Sequence, residues 1–306
     1  MPGEPNAPVR SDDADIDALL GDTIAKVGES PATLEASARL KAMLDAAAAE
    51  PAPLVDPKSL AVRFSRLKHM NESPAHYFHA CQQEDAAFEE TLAMRLGSGV
   101  HGLLLGKPGD VVLYPGHRSG RVWESFKKKN EGATILNERE WKEAWATVRA
   151  IRRNKDAERL LLEDTIREET IEWSHGSRAC RSTPDARSKR WIAELKTTRS
   201  ANPRWFHRDS FNRLYHAQVA FYDEAVEVAT GRRVDELYII AVETSGHQPV
   251  QVYRIPDELR ELGTKTWRLM MERLLVCEAA NVWPEYAQGP VDLEAPFAIG
   301  TEDGDD

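Results

Sequence analysis

Three ionisable residues in the middle of the chain have the types and spacing that hydrolytic metal sites use. Asp185 follows a proline, Glu194 comes nine residues later, and Lys196 stands two residues after Glu194. The apolar run 191–193 predicts a buried strand, and side chains alternate along a strand, so Glu194 and Lys196 share one face. A hairpin would bring Asp185 beside Glu194. Adjacent carboxylates repel each other, and a hard divalent cation such as Mg²⁺ or Mn²⁺ removes that cost. A neighbouring lysine can orient or deprotonate a water and stabilise charge on a phosphate.

The elements that must position these residues alternate between helices and short strands. The spacing of apolar residues predicts helices over 59–73, 74–85, 86–108, 137–164, 209–231 and 257–281. Short apolar or alternating runs predict strands over 111–116, 170–176, 190–198, 236–244 and 249–255. This order predicts an α/β fold in which a small mixed β-sheet is flanked by helices.

Length and charge divide the chain into a folded middle and two acidic ends. The 306 residues include 40 Lys and Arg and 50 Asp and Glu, giving a net charge of −10. Residues 1–57 hold 11 acidic and 4 basic residues, and residues 288–306 hold 6 acidic and no basic residues. We therefore expect one domain over 58–287, between a mostly flexible extension with a candidate helix over 32–50 and a flexible tail.

The sequence argues against several classes of protein. No window approaches the roughly 18 apolar residues of a membrane helix. The first residues lack an apolar signal-peptide core, so we expect a cytoplasmic protein without a membrane partner. The three cysteines, Cys81, Cys180 and Cys277, are too few for a four-thiolate site and indicate no disulfide framework. We expect neither an iron–sulfur cluster nor a nucleotide cofactor.

A basic stretch surrounds the three candidate residues. From Arg178 to Arg213 there are ten basic and only three acidic residues. Such a stretch can contact a polyanion, although a solvated charged face is the more common explanation of a charge run. Nothing in it has the pattern of a recognition helix or a zinc finger. That favours contact with a nucleic-acid backbone over reading of a base sequence.

The sequence around the three residues resembles a known family. Pro184-Asp185 followed by Glu194-Leu195-Lys196 resembles the P-D…(D/E)-x-K signature of the PD-(D/E)XK nuclease superfamily. Over about residues 60–287 the chain also resembles the exonuclease VIII (RecE-like) branch of phage and prophage nucleases. The motifs that carry this resemblance are ELKTTRSANPRWF, YHAQVAFYDEA, SRLKHMNESPAHYFHA, MRLGSGVHGLLLGKP, ILNEREWKEAWATVRAIRRN and VWPEY. One departure is Arg-Ser-Thr-Pro-Asp in place of Gly-Arg-Pro-Asp, which predicts a different loop shape before the aspartate.

The resemblance implies a metal centre and a catalytic group. His101, on the predicted helix over 86–108, matches the family's helix histidine and would bind the metal. Asp185 and Glu194 match the two carboxylate ligands, and the backbone carbonyl of Leu195 would be a further ligand. Lys196 matches the catalytic lysine. The implied cofactor is Mg²⁺ or Mn²⁺. Without the family, His101 would be an ordinary helix histidine, and Glu194 with Lys196 an edge-strand ion pair.

The resemblance also implies contacts with DNA. Gln218 and Tyr222 match a helix pair that packs beside the lysine and contacts the DNA backbone; plain packing is the alternative. Ser65 and Lys68 lie near the start of the first predicted helix, which could hold a 5′-phosphate or could be an ordinary exposed helix start. The residues expected to bind DNA are Ser65, Lys68, Arg181, Arg187, Lys189, Arg190, Thr197, Thr198 and Arg199.

The activity that the resemblance implies is metal-dependent hydrolysis of linear double-stranded DNA. The family degrades DNA 5′→3′ and leaves a 3′ single strand for phage-type recombination. The expected partners are DNA ends, a single-strand annealing protein and further copies of the chain in a ring. The alternatives are a structure-specific endonuclease of the same superfamily and a module that binds DNA ends without cutting them. A structural protein that uses its acidic ends would leave the central motifs without a role.

Overall fold

A computed structural model describes residues 54–83, 91–286 and 289–292 of the chain. The residues from Val55 onward form one compact unit. The candidate helix over 32–50 and most of both acidic ends lie outside the described residues. In the described ranges no helix is both long enough and apolar enough to cross a bilayer.

A five-stranded mixed sheet forms the centre of this unit, which confirms the expected fold class. The strands in the described residues are β1 (Val111–Leu113), β2 (Thr134–Leu136), β3 (Ile166–Arg167), β4 (Ile171–His175), β5 (Arg178–Ser182), β6 (Ala186–Arg187), β7 (Trp191–Thr198), β8 (Glu236–Glu243) and β9 (Val250–Ile255). The central sheet has the order β3-β6-β7-β8-β9. Only the β7–β8 pair in it is parallel. A parallel pair β1–β2 and an antiparallel hairpin β4–β5 complete the strands.

Helices cover both faces of the sheet. They are α1 (Phe64–Leu67), α2 (Pro74–Gln82), α3 (Leu92–Leu104), α4 (Gly120–Lys129), α5 (Glu138–Arg153), α6 (Lys155–Leu162), α7 (Pro203–Asn212), α8 (Tyr215–Thr230) and α9 (Asp257–Ala280). Apolar side chains from α3, α5 and α6 pack on one face, and those from α1, α2, α8 and α9 pack on the other.

Strand β7 is buried on both faces, which explains its continuous apolar run. Ile192 belongs to the core under α8 and α9, whereas Ala193 and Leu195 belong to the core under α3 and α5. Because side chains alternate, Glu194 and Lys196 follow Ile192 on the α8 side. The strand therefore carries charged groups into the protein interior on one face only.

The structure differs from the predicted elements at three places. The segment 59–73 is not one helix: Val62 pairs with the hairpin through Ala179 and Arg181, and only a short α1 and a 3-10 turn follow. The helix predicted over 137–164 breaks at Asn154, because its side chain accepts the Ala157 amide and starts α6.

The helix predicted over 209–231 also breaks. Leu214 has a φ of 57°, in the left-handed region, and separates α7 from α8. Helix α8 then ends at Gly231, as predicted, with a φ of 74°. The elements that the pattern analysis missed are the two-residue strands β3 and β6, the strands β2 and β5, and the polar helix α4, which buries no residue.

Helices α8 and α9 meet at a glycine. A Cβ atom at Gly263 of α9 would lie 2.3 Å from the backbone oxygen of His216 in α8. A backbone atom cannot rotate away as a side chain can, so the two helices can approach this closely only because position 263 has no side chain. Helix α8 carries residues of the candidate site, and the contact therefore fixes its position.

We predict that Gly263→Ala destabilises the protein by about 2 kcal/mol or more, in spite of the higher helix propensity of alanine. Denaturant unfolding followed by circular dichroism measures this. Gly99→Ala is the matched control, because its Cβ would meet the movable side-chain carbon Cδ1 of Leu136 at 2.8 Å. An equal or smaller cost for Gly263→Ala than for Gly99→Ala would contradict the prediction.

Candidate active site

Two carboxylates are brought together by reciprocal hydrogen bonds between a loop and β7. The backbone N–H of Asp185 donates to Oε1 of Glu194 at 2.9 Å. In return, Oδ2 of Asp185 accepts the backbone N–H of Leu195 at 2.7 Å. Asp185 stands just before β6, which pairs with β7 at Ala193 and Ile192. The hairpin expected from the sequence therefore does place Asp185 beside Glu194.

Helix α3 supplies the histidine. Nδ1 of His101 lies 3.5 Å from Oδ1 of Asp185, and Nε2 lies 3.1 Å from the carbonyl oxygen of Leu195. One turn earlier, Gly97 faces β7, where a Cβ would lie 3.0 Å from Oγ1 of Thr197. The absence of a side chain at Gly97 allows α3 to approach the strand closely enough for His101 to reach Leu195.

Lys196 and helix α8 close the other side of the site. Nζ of Lys196 donates to Oε2 of Glu194 at 3.0 Å and lies 5.0 Å from the ring centroid of Tyr215. Nε2 of Gln218 lies 3.3 Å from the same Oε2 and donates to the hydroxyl of Tyr222 at 2.9 Å. Gln218 and Tyr222 thus pack beside the lysine, where the family resemblance placed them.

Burial and charge shift the pKa values of these groups in opposite directions. Burial, reinforced by the charge of Asp185, raises the pKa of Glu194 to about 7 in spite of Lys196. Burial also acts on Asp185, but His101, Lys196 and the Leu195 amide outweigh it and lower the pKa of Asp185. The Asp185 carboxylate likewise outweighs burial at His101 and raises its pKa. The site therefore concentrates negative charge that a cation would stabilise.

Lys196 is held in its charged form. Burial alone would lower the pKa of its ammonium group, but the carboxylates of Glu194 and Asp185 outweigh burial and raise that pKa. A lysine with a raised pKa is a poor proton acceptor at neutral pH. In this arrangement Lys196 is suited to donate hydrogen bonds and stabilise negative charge.

The donor atoms fit a hard divalent cation. His101, Glu168 and Asp185 each offer one ligand atom, and these atoms lie within 4.8 Å of one another. Oxygen donors with one imidazole suit Mg²⁺ or Mn²⁺, and the Leu195 carbonyl borders the same space through its contact with His101. Glu194 is not part of this 4.8 Å group. Its oxygens accept hydrogen bonds from the Asp185 amide, Lys196 and Gln218.

Sequence reasoning missed Glu168. This residue has a φ of 47°, in the left-handed region, and its backbone N–H donates to the backbone carbonyl oxygen of Asp185 at 3.1 Å. Burial and the charge of Asp185 raise the pKa of the Glu168 carboxyl. Its spacing from Asp185 carries no recognisable signal, since only the β3–β6 pairing brings the two residues together.

The residues expected to bind DNA do not form one free cationic surface. Arg181 pairs with Glu172, Arg187 with Glu169, and Arg190 with Asp235. Lys189 and Arg199 are exposed, whereas Thr197 and Thr198 lie at the half-buried end of β7. Ser65 and Lys68 are exposed in and after the four-residue α1.

Lys68 nevertheless lies in the electrostatic range of the site. Partial desolvation and the positive charges of Lys196 and Arg213 lower the pKa of Lys68. The charges of these three side chains, which come from separate parts of the chain, are therefore near enough to repel one another. A phosphate group would relieve that repulsion.

This fold and this arrangement of groups define a domain of the PD-(D/E)XK nuclease superfamily, as the sequence motif predicted. The chain belongs to the family described as PDDEXK-like domain of unknown function (DUF3799), whose profile matches residues 63–293. The chain is also similar to the crystal structure of a proposed exonuclease from Eubacterium rectale. The TM-score is 0.56 and the identity 16%, over 78% of this chain and 91% of that chain. At that identity the likeness shows the fold. No curated protein matches the chain in sequence.

We predict that Gly97→Ala destabilises the protein because the new Cβ crowds Oγ1 of Thr197. Thr197→Ala removes that atom, so the double variant should recover part of the loss. We expect a coupling free energy of about 1 kcal/mol from the double-mutant cycle, measured by denaturant unfolding. Additive effects of the two substitutions would contradict the close approach of α3 and β7.

Proposed function

We propose that this protein is a metal-dependent exodeoxyribonuclease that hydrolyses phosphodiester bonds of linear double-stranded DNA. The observation that carries the proposal is the convergence of His101, Asp185, Glu194 and Lys196 around the Leu195 carbonyl, in a fold that the superfamily uses for nucleases. A structural domain would gain nothing from burying two adjacent carboxylates, since the desolvation of like charges is costly.

The proposed cofactor is Mg²⁺ or Mn²⁺, held by His101, Asp185, Glu194 and the Leu195 carbonyl. Glu168 is a further candidate ligand because of its place in the ligand group. A divalent cation in this position would supply positive charge to the scissile phosphate and acidify a water molecule. Asp185 and Glu194 would bind the cation through their carboxylates. The Leu195 amide donates to the Asp185 carboxylate and orients it.

Lys196 acts on the phosphate and the attacking water. Its ammonium group is fixed between Glu194 and the ring of Tyr215, so its remaining N–H bonds can be directed to an oxygen of the substrate. A positioned cation that meets developing negative charge lowers the barrier without needing to reorganise. Gln218 donates to Glu194 and to the hydroxyl of Tyr222, so Tyr222 fixes Gln218, and Gln218 helps to fix the carboxylate that binds the lysine.

The family resemblance supports the finer features of the proposal. We propose 5′→3′ degradation that leaves a 3′ single strand, for use by a single-strand annealing protein in phage-type recombination. The repulsion of Lys68 by Lys196 and Arg213, which lowers the pKa of Lys68, supports a phosphate near the site. A ring of several copies around DNA and a cytoplasmic location are part of the same proposal. Structure-specific endonuclease activity and DNA-end binding without cleavage are the alternatives.

We predict that the protein digests linear duplex DNA with Mg²⁺ or Mn²⁺ and not with a chelator. Closed circular DNA should remain intact. Lys196→Ala should lower the rate at least a hundredfold, because it removes the positioned cation. Lys265→Ala, on the exposed side of α9, is the matched control and should act like the wild type. Labels placed on the 5′ or the 3′ end report the polarity by the order of their release.

Three outcomes would change the proposal. Cleavage of closed circles would replace it with the endonuclease alternative. Binding of DNA ends without cleavage under either metal would favour the non-cleaving module. Equal rates for Lys196→Ala and the wild type, with metal present, would show that the reaction does not take place at the site of Lys196.

A further inference from the structure

Helix α7 exposes aromatic rings next to arginines. The side chain of Trp205 is 60% exposed and that of Phe211 is 50% exposed. Arg204 and Arg208 are also exposed, and the guanidinium carbon of Arg204 lies 5.3 Å from the Trp205 ring centroid. Positions 204, 208 and 211 follow helical spacing, so their side chains share one side of the helix. Trp205 lies at the border of that side, three positions before Arg208. These four residues are called the α7 face.

The α7 face lies one aromatic layer away from the candidate active site. Phe206, on the buried side of α7, stacks on Tyr253 with 4.7 Å between ring centroids. Its ring is also 6.2 Å from that of Tyr215, and the Tyr215 ring lies 5.0 Å from Nζ of Lys196. The helix thus packs beside β7 through Phe206. The ring of Phe211 stacks on that of His216 in α8, with 4.7 Å between centroids, and its remaining surface is exposed together with Trp205.

The charge of α7 favours a polyanion. Asp209 is the only acidic residue in the helix, and both of its carboxylate oxygens accept from Nε of Arg213, at 2.9 and 3.0 Å. The arginines of the α7 face therefore project positive charge toward solvent. The same Arg213 contributes to the positive potential that lowers the pKa of Lys68 near the site.

We propose that the α7 face binds an unpaired stretch of DNA strand beside the candidate active site. Bases would stack on Trp205 and Phe211, and Arg204 and Arg208 would contact phosphates. Base–aromatic stacking is available only where bases are not enclosed in a duplex, so the rings select a single strand over a double one. The proposal rests on the proposed function and names the form of substrate that reaches the site.

Fluorescence anisotropy with fluorescein-labelled (dT)12 tests this on the full chain in the presence of chelator, which prevents cleavage. We expect Trp205→Ala and Phe211→Ala each to raise the Kd for (dT)12 about tenfold or more. Trp205→Phe should stay within about threefold of the wild type, because it keeps a stacking ring. The Kd for a blunt hairpin duplex should change much less. Tyr286→Ala removes an exposed aromatic ring elsewhere and is the matched control.

The salt dependence tests the arginines separately. Arg204→Gln combined with Arg208→Gln removes two charges from exposed positions, where folding is not at risk. The slope of log K against log salt concentration for (dT)12 should become shallower by about 1.4, since each phosphate contact on a single strand contributes about 0.7.

Several results would overturn the proposal. They are an absence of (dT)12 binding by the wild type, an unchanged Kd in both alanine variants, and equal losses for (dT)12 and the duplex. An unchanged salt slope in the double glutamine variant would also overturn it. Digestion of linear DNA by the wild type is measured in parallel. If the wild type digests DNA but the alanine variants leave the Kd for (dT)12 unchanged, the proposed nuclease activity stands and the role of the α7 face is wrong. If the variants weaken (dT)12 binding but the wild type does not digest DNA, the role of the α7 face stands and the proposed nuclease activity is wrong.

Discussion

The carboxylate of Glu194 is buried beside that of Asp185, which is half-buried, and like charges in a poorly solvated site repel strongly. The chain offsets that repulsion with fixed donors. The Leu195 amide binds Asp185, the Asp185 amide binds Glu194, and Lys196 supplies a full positive charge. The raised pKa of Glu194, about 7, shows that the offset is incomplete. A bound cation would offset the remaining repulsion between the two carboxylates.

The arrangement of helices around β7 follows from this constraint. Helix α3 must come close enough for His101 to reach the Leu195 carbonyl, and Gly97 allows it. Helix α8 must bring Gln218 within reach of Glu194 from the other side. Gly263 allows α9 to pack closely against α8 and so fixes the position of α8. The two glycines lie in different helices, yet both determine distances within the same site.

The strand β7 and its charged residues could be predicted from local pattern alone. In a strand, Glu194 and Lys196 are two residues apart and must lie on the same face, and the structure shows them there. The breaks at Asn154 and Leu214 could not be predicted that way, because the apolar period continues through both positions. At Asn154 a side chain starts a new helix, and at Leu214 the backbone alone turns. Glu168 depends on the pairing of two-residue strands, which leave no periodic signal. The ion pairs of Arg181 and Arg187 likewise depend on partners that only the fold brings near.

We propose that His101, Asp185, Glu194 and the Leu195 carbonyl together hold a divalent metal ion. Anomalous diffraction from crystals grown with saturating Mn²⁺ tests it most directly, because the signal locates the ion without reference to activity. We expect a single strong peak bordered by His101, Asp185, Glu194 and the Leu195 carbonyl, and no peak there in Asp185→Asn. Crystals with Mn²⁺ bound elsewhere and no peak at this position would contradict a metal centre at these residues.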